Sequence, residues 1–176
     1  MDTRVEKILL TYDEIQAGII KAAKWIDQKF KDKDLILIGL LKGCIPFYGQ
    51  LASHITIDCL LDTMTISSYK GNTERTTLPH IYQDVTEDIK DKDVLIVDEI
   101  IDSAYTLQYV KDYLNKNYGP KSISILTLLD KPEGRKIDLN PDYSCFQIEN
   151  HFVVGYGCDY QGKLRNLPYV GIFKQK

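Results

Sequence analysis

Residues 94–97, Val-Leu-Ile-Val, form an unbroken aliphatic run that ends abruptly in two acids, Asp98 and Glu99. A run with no alternation of polar and apolar positions has no face to offer water, so it reads as a strand buried on both sides of a parallel sheet. A third acid follows, Asp102, then Ser103, the small Ala104, Tyr105 and Thr106, where a helical pattern running to about residue 117 begins. The chain therefore reads as α/β, with a mainly parallel twisted sheet flanked by helices.

The order of those residues points to chemistry. In an open α/β sheet, ligands sit beyond the carboxyl ends of the strands. A helix that starts there offers unpaired backbone N–H groups and the positive end of its dipole, which suits a phosphate. The Ser103 and Thr106 hydroxyls add donors for the same anion. Acids beside a phosphate require something neutral or cationic between them: ribose hydroxyls, Mg²⁺, or both. Ordinary N-capping accounts for Asp102 or Ser103, but not for Asp98 and Glu99 at the end of a buried strand.

The stretch Val94-Leu-Ile-Val-Asp-Glu-Ile-Ile-Asp-Ser-Ala-Tyr-Thr-Leu107 resembles the phosphoribosyl pyrophosphate signature of the type I phosphoribosyltransferases, in particular their hypoxanthine-guanine branch. The resemblance implies that Asp98 and Glu99 hold ribose hydroxyls and, with Asp159, order metal. It implies that Asp102, Ser103, Ala104, Tyr105 and Thr106 grip the 5′-phosphate, and that Asp102 also stands against purine N7 as a candidate general base.

Further segments carry the same likeness in the same order across most of residues 35–170. The apolar run 35–41 ends in Lys42 and Gly43, ahead of a helical stretch from about residue 45 to 54. A lysine and a glycine at a strand's end can present a cation and bare N–H groups to an anion, or can simply form a charged turn. Leu40-Leu-Lys-Gly-Cys-Ile-Pro-Phe47 resembles the family's pyrophosphate loop, which carries a non-proline cis peptide before the lysine, and this maps pyrophosphate binding to Lys42 and Gly43.

After an expected strand at 60–66, Ser67-Ser-Tyr-Lys-Gly-Asn-Thr-Glu-Arg-Thr-Thr77 is polar and poor in apolar anchors, the composition of a mobile loop. Ser67-Ser-Tyr69 resembles the start of the family's catalytic lid, which implies lid roles for Ser68 and Tyr69 in a segment of about residues 67–80. Further on, Thr76 and Thr77 stand where the family usually has Ser-Gly.

Residues 122–129 read as the next buried strand, and Leu128-Leu-Asp-Lys-Pro-Glu-Gly-Arg135 resembles the segment whose lysine reaches the purine 6-oxo group, here Lys131. An ammonium suits a carbonyl oxygen and disfavours a 6-amino group, because both would be donors. A carboxy-terminal match, Phe152-Val-Val-Gly-Tyr-Gly-Cys-Asp-Tyr-Gln-Gly-Lys-Leu-Arg-Asn-Leu-Pro168, maps Phe152 to base stacking, Val153 to main-chain base recognition, Asp159 to the purine pocket and its metal, and Arg165 to pyrophosphate. Gly155 and Gly157 there allow close approach of another group.

The rest of the chain sets limits. A length of 176 residues suits one domain, with a core at about 35–150 and a small hood from 1–12 and 150–176. A net charge of −3 argues against broad nucleic-acid or anionic-membrane binding, which needs a basic face. No apolar run approaches a membrane span and the first residues carry no signal pattern. Cys44, Cys59, Cys145 and Cys158 are widely spaced and read as reduced, core-filling cysteines of a cytoplasmic protein. His54, His80 and His151 have no metal-ligand spacing. Thr11-Tyr-Asp-Glu14 is a capping box opening a helix whose apolar face is Ile15, Ile19, Ala22, Ala23 and Ile26, with Trp25 at its margin.

The expectation is purine salvage: transfer of the 5-phosphoribosyl group from phosphoribosyl pyrophosphate to hypoxanthine or guanine, with Mg²⁺, by a homodimer or homotetramer. Two departures bear on it. The family usually has Glu-Asp where this chain has Asp98-Glu99, and glycine where Ala104 stands. If that position needs a positive φ, the methyl costs about 1–2 kcal/mol, roughly a five- to thirtyfold loss in phosphate affinity. These departures motivate a second hypothesis, a non-catalytic nucleotide-binding or regulatory protein of the same fold. An adenine-specific enzyme is a third.

Overall fold

The structure, a computed structural model, describes residues 1–66 and 79–174. Its centre is a six-stranded sheet of β2 (Leu35–Leu41), β3 (Leu60–Ile66), β4 (Ile81–Gln83), β5 (Asp93–Ile101), β6 (Ser122–Asp130) and β7 (Tyr143–Gln147). The order across the sheet is β4-β3-β2-β5-β6-β7, with every pair parallel except the β3–β4 edge. The strands expected at 35–41 and 60–66 and the helix expected at 45–54 have those bounds in the structure.

The central strands carry unbroken apolar runs, at residues 35–41 and 94–97, because both faces are covered there. Leu35, Leu37, Leu95 and Val97 face α1 (Tyr12–Lys29) and α2 (Ile45–His54). Ile36, Ile38, Leu40, Val94 and Ile96 face the other way, onto Leu107, Val110 and Leu114 of α3 (Tyr105–Tyr118). On α1 the capping box is closed in both directions: Glu14 accepts from the Thr11 amide at 2.8 Å while Thr11 Oγ1 accepts from the Glu14 amide at 3.4 Å. Its buried residues include all five of the expected apolar face, and Trp25 packs edge-on to Phe30 and against Tyr143 at the margin. At the other edge, Asp62 of β3 accepts from the amides of Thr63, Thr86 and Glu87, tying that strand to the segment before β5.

One strand is longer than the sequence pattern suggests. β5 continues through Asp98 and Glu99 to Ile101, because β6 keeps pairing with it: Asp98 lies opposite Thr127 and Ile101 opposite Asp130. The acids interrupt the apolar pattern without interrupting the ladder. Helix α3 accordingly begins at Tyr105 and ends at Tyr118, where Gly119 takes φ 61°.

The two ends of the chain meet in a second, smaller sheet, a hood of β1 (Val5–Leu10), β9 (Val170–Phe173) and β8 (Val153–Val154), antiparallel throughout in the order β1-β9-β8. Val5 pairs with Phe173, and Val153 with Ile172. Val5, Val154 and Leu164 form a small core of its own beneath it. No helix among the described residues is long and apolar enough to cross a membrane.

Candidate active site

The topology fixes where a ligand can sit. From β2 the chain crosses to β3 on one side of the sheet, and from β5 it crosses to β6 on the other. The connections at the carboxyl ends of β2 and β5 therefore diverge, and a crevice opens between them. Lys42, Gly43, Asp98, Glu99, Asp102, Ser103, Ala104, Thr106, Asp159 and Arg165 all line that crevice. Tyr105, Lys131, Phe152 and Val153 do not: Tyr105 and Phe152 are exposed, Val153 is buried in the hood, and Lys131 is buried against Asp102. Ser68 and Tyr69 lie outside the described residues.

One end of the crevice is built from backbone. Helix α3 is capped at Ala104, which makes no side-chain capping bond and takes φ 71°, ψ 0°. No side chain caps the first turn, so its amides lack a side-chain acceptor where Ser103, Ala104 and Thr106 line the crevice, beside the positive end of a 14-residue helix. The positive φ is the backbone that glycine adopts freely and alanine does not.

Opposite lies the cationic end. The Leu41–Lys42 peptide is cis, and Gly43 follows against Glu99, whose carboxylate a methyl on Gly43 would overlap. Gly157, at φ 105°, brings the carboxy-terminal strap onto the Gly43 carbonyl, so close that no side chain would fit between them. Arg165 on that strap pairs with Asp159 at 2.6 Å, reaches Glu99 at 3.7 Å and donates to the Gly157 carbonyl at 2.6 Å.

Two acids in one crevice repel each other. Burial, and next the neighbouring Glu99 charge, push the Asp98 carboxyl well above the ordinary range. A site with that bias gains from a cation or from hydroxyl donors. Burial also holds the Cys44 and Cys158 thiols above their usual range, so both stay neutral beside the crevice. All four cysteines are free.

Among the described residues no three His, Cys, Asp or Glu side chains form a ready-made metal cage. Asp98, Glu99 and Asp159 are nevertheless all hard oxygen donors on one crevice. That set fits Mg²⁺, which is characteristically held by one or two carboxylates with the rest of its shell from substrate and water.

Beyond the crevice, the loops after β5 and β6 abut. Lys131, buried to 7% exposure, pairs with Asp102 at 2.9 Å. Phe152 stands 45% exposed at the edge of the hood, with Tyr160 and Phe173 edge-on to it. Motif reading misses Arg135, which bonds to both loops, and the apolar rim of Leu40, Ile66, Ile100 and Leu107. Leu40 and Ile66 could have been found by strand parity, but Leu107 lies on α3 and Ile100 packs on the face opposite to that of Val94 and Ile96. Arg135 carries no pattern of its own.

Residues 9–161 match the phosphoribosyl transferase domain family. The chain is 43% identical over its whole length to the hypoxanthine-guanine phosphoribosyltransferase of Streptococcus pneumoniae strain R6, covering 97% of that protein. It is 40% identical to the enzyme of that name from Mycoplasma genitalium, over 97% of each chain. The crystal structure of a hypoxanthine phosphoribosyltransferase from Staphylococcus aureus superposes with a TM-score of 0.91 at 37% identity, over 97% of this chain and 92% of the other.

Proposed function

The chain belongs to the phosphoribosyl transferase domain family, and from that membership we propose that it is a purine-salvage enzyme transferring the 5-phosphoribosyl group from phosphoribosyl pyrophosphate to hypoxanthine or guanine, with release of pyrophosphate. The observation that carries the proposal is the end of β5: two half-buried acids stand a short turn ahead of a helix start that no side chain caps. A ribose 5-phosphate needs that pairing, acceptors for its hydroxyls and bare amides for its phosphate.

As pyrophosphate leaves, positive charge grows at the anomeric carbon, so catalysis requires alignment and neutralisation of the leaving group. The amides at residues 103–106 and the Ser103 and Thr106 hydroxyls bind the 5′-phosphate, and Asp98 and Glu99 accept from the ribose hydroxyls. Lys42, the Gly43 amide and Arg165 bind pyrophosphate. Mg²⁺, held by Asp98, Glu99 and Asp159 with substrate oxygens, supplies further charge neutralisation when bound. Lys131 donates to the purine 6-oxo group while Asp102 faces N7, adjacent atoms on one edge of the base, which agrees with the 2.9 Å pairing of the two side chains. Phe152 offers an exposed ring for stacking, and Val153 supplies main-chain contacts to the base. A cytoplasmic homodimer or homotetramer goes with the same reading, supported by the exposed apolar side chains Ile45, Leu60 and Leu61.

Incubation with Mg²⁺, phosphoribosyl pyrophosphate and hypoxanthine should give inosine monophosphate, and adenine in its place should give no adenosine monophosphate. Nucleotide binding without product would favour the non-catalytic alternative. Turnover of adenine as fast as hypoxanthine would remove the role given to Lys131.

A further inference from the structure

We propose that Arg135 is a positioning residue for the purine pocket, locking the loop after β6 onto the loop after β5 and so setting where Lys131 and Asp102 stand relative to each other. This rests on the phosphoribosyl-transfer reading of the site. Arg135 does not line the crevice but bonds to Ile101 and Asp102, which do.

Its guanidinium is almost fully committed. Nη1 donates to the carbonyls of Ile101 at 2.8 Å and Asp102 at 2.7 Å, with a longer bond to Lys131 at 3.4 Å. Nε donates to the Leu139 carbonyl at 2.9 Å, and Nη2 pairs with the Asp130 carboxylate. The side chain is 13% exposed and that of Asp130 15%. Two backbone bonds run beside it, Lys131 N to Ile101 O at 3.0 Å and Lys136 N to Ser103 O at 3.1 Å. The loops touch so closely that a methyl on Gly134 would overlap the Asp102 carboxylate. A planar fork of five donors can hold several carbonyls in one fixed arrangement, which a lysine cannot.

The two loops depend on this clip unequally. The loop after β5 is fixed by its strand on one side and by α3 on the other. The loop after β6 has only a single 3-10 turn, Pro132–Gly134, before β7. Release of the guanidinium therefore frees the base-reading side first.

The test is steady-state kinetics on Arg135→Met and Arg135→Lys beside the wild type, with both substrates varied. Arg135→Met should raise the KM for hypoxanthine at least about tenfold and lower kcat, since displacing an aligned group by about 1 Å can cost a hundredfold. The KM for phosphoribosyl pyrophosphate should stay within about threefold in the same enzyme. Arg135→Lys keeps a cation beside Asp130, so it should melt close to the wild type yet keep the raised hypoxanthine KM. Amide hydrogen exchange at Lys136 should quicken in Arg135→Lys, a readout that needs no turnover. A lysine variant with a wild-type hypoxanthine KM, or equal rises in both KM values, overturns the proposal. A wild-type chain that makes no inosine monophosphate overturns the reading beneath it instead, and exchange at Lys136 then tests the clip by itself.

Discussion

Ala104 combines a methyl side chain, only 5% exposed, with a φ of 71° at the start of α3. The left-handed backbone costs an alanine about 1–2 kcal/mol that a glycine does not incur, partly offset because glycine loses about 0.5–1 kcal/mol more chain entropy on folding. Ala104→Gly should therefore stabilise the protein by about 1 kcal/mol or less, a rise of about 2–4 °C in the midpoint of thermal unfolding. It should also lower the KM for phosphoribosyl pyrophosphate, because the amides beside the cap reach their phosphate-binding geometry without strain. An unchanged midpoint and KM would show that the surrounding structure already absorbs the cost. The need for a positive φ at this position was legible as a condition, since the motif places a small residue between a strand end and a helix start. Arg135 was not legible: its partners are four carbonyls and one acid, and a carbonyl leaves no mark on the sequence.

At the scale of elements, Asp62 is the fastening between β3 and the segment leading to β5. Burial alone would raise its carboxyl, but the amides of Glu87, Thr63 and Thr86 and the Thr86 hydroxyl outweigh it and hold it below the ordinary range. Asp142 is lowered in the same way, burial being outweighed by Lys29 and the Ile125 amide. A carboxylate depressed on folding contributes stability above its unfolded pKa of about 3.9, and that contribution is lost as the pH falls through the lower folded value. The contribution of Asp62 and Asp142 should thus be flat from neutral pH to about 4 and decline below it. Asp62→Asn sets an amide donor against backbone donors and should cost about 2 kcal/mol at pH 7, or about 4–8 °C. The gap to the wild type should narrow in melts taken below pH 4, and a gap independent of pH would remove Asp62 as the cause. Helix and strand positions were largely readable, because capping boxes and unbroken aliphatic runs are local signals. The end of β5 was not, because its continuation through Asp98 and Glu99 depends on a neighbour 29 residues further on.

For the whole molecule, the hood depends on residues at opposite ends of the chain, with β1 pairing onto β9 and β9 onto β8. Removing residues 1–10 leaves the Thr11 cap of α1 intact but reduces the hood to a two-stranded remnant, which is marginal in water. The shortened protein should keep the circular-dichroism signature of its central sheet while losing on the order of a hundredfold in kcat/KM for hypoxanthine. Retention of full activity would show that Phe152 and Val153 need no support from β1. Which terminal segments belong near each other could be anticipated from the motifs, but not their register, since the pairing of Val5 with Phe173 follows from no local pattern. The same pairing imposes an order on biosynthesis. Every strand of the six-stranded sheet precedes Val170–Phe173 in the chain, so the larger sheet can pair before β9 has been made, whereas the smaller one cannot close until β9 joins β1 to β8.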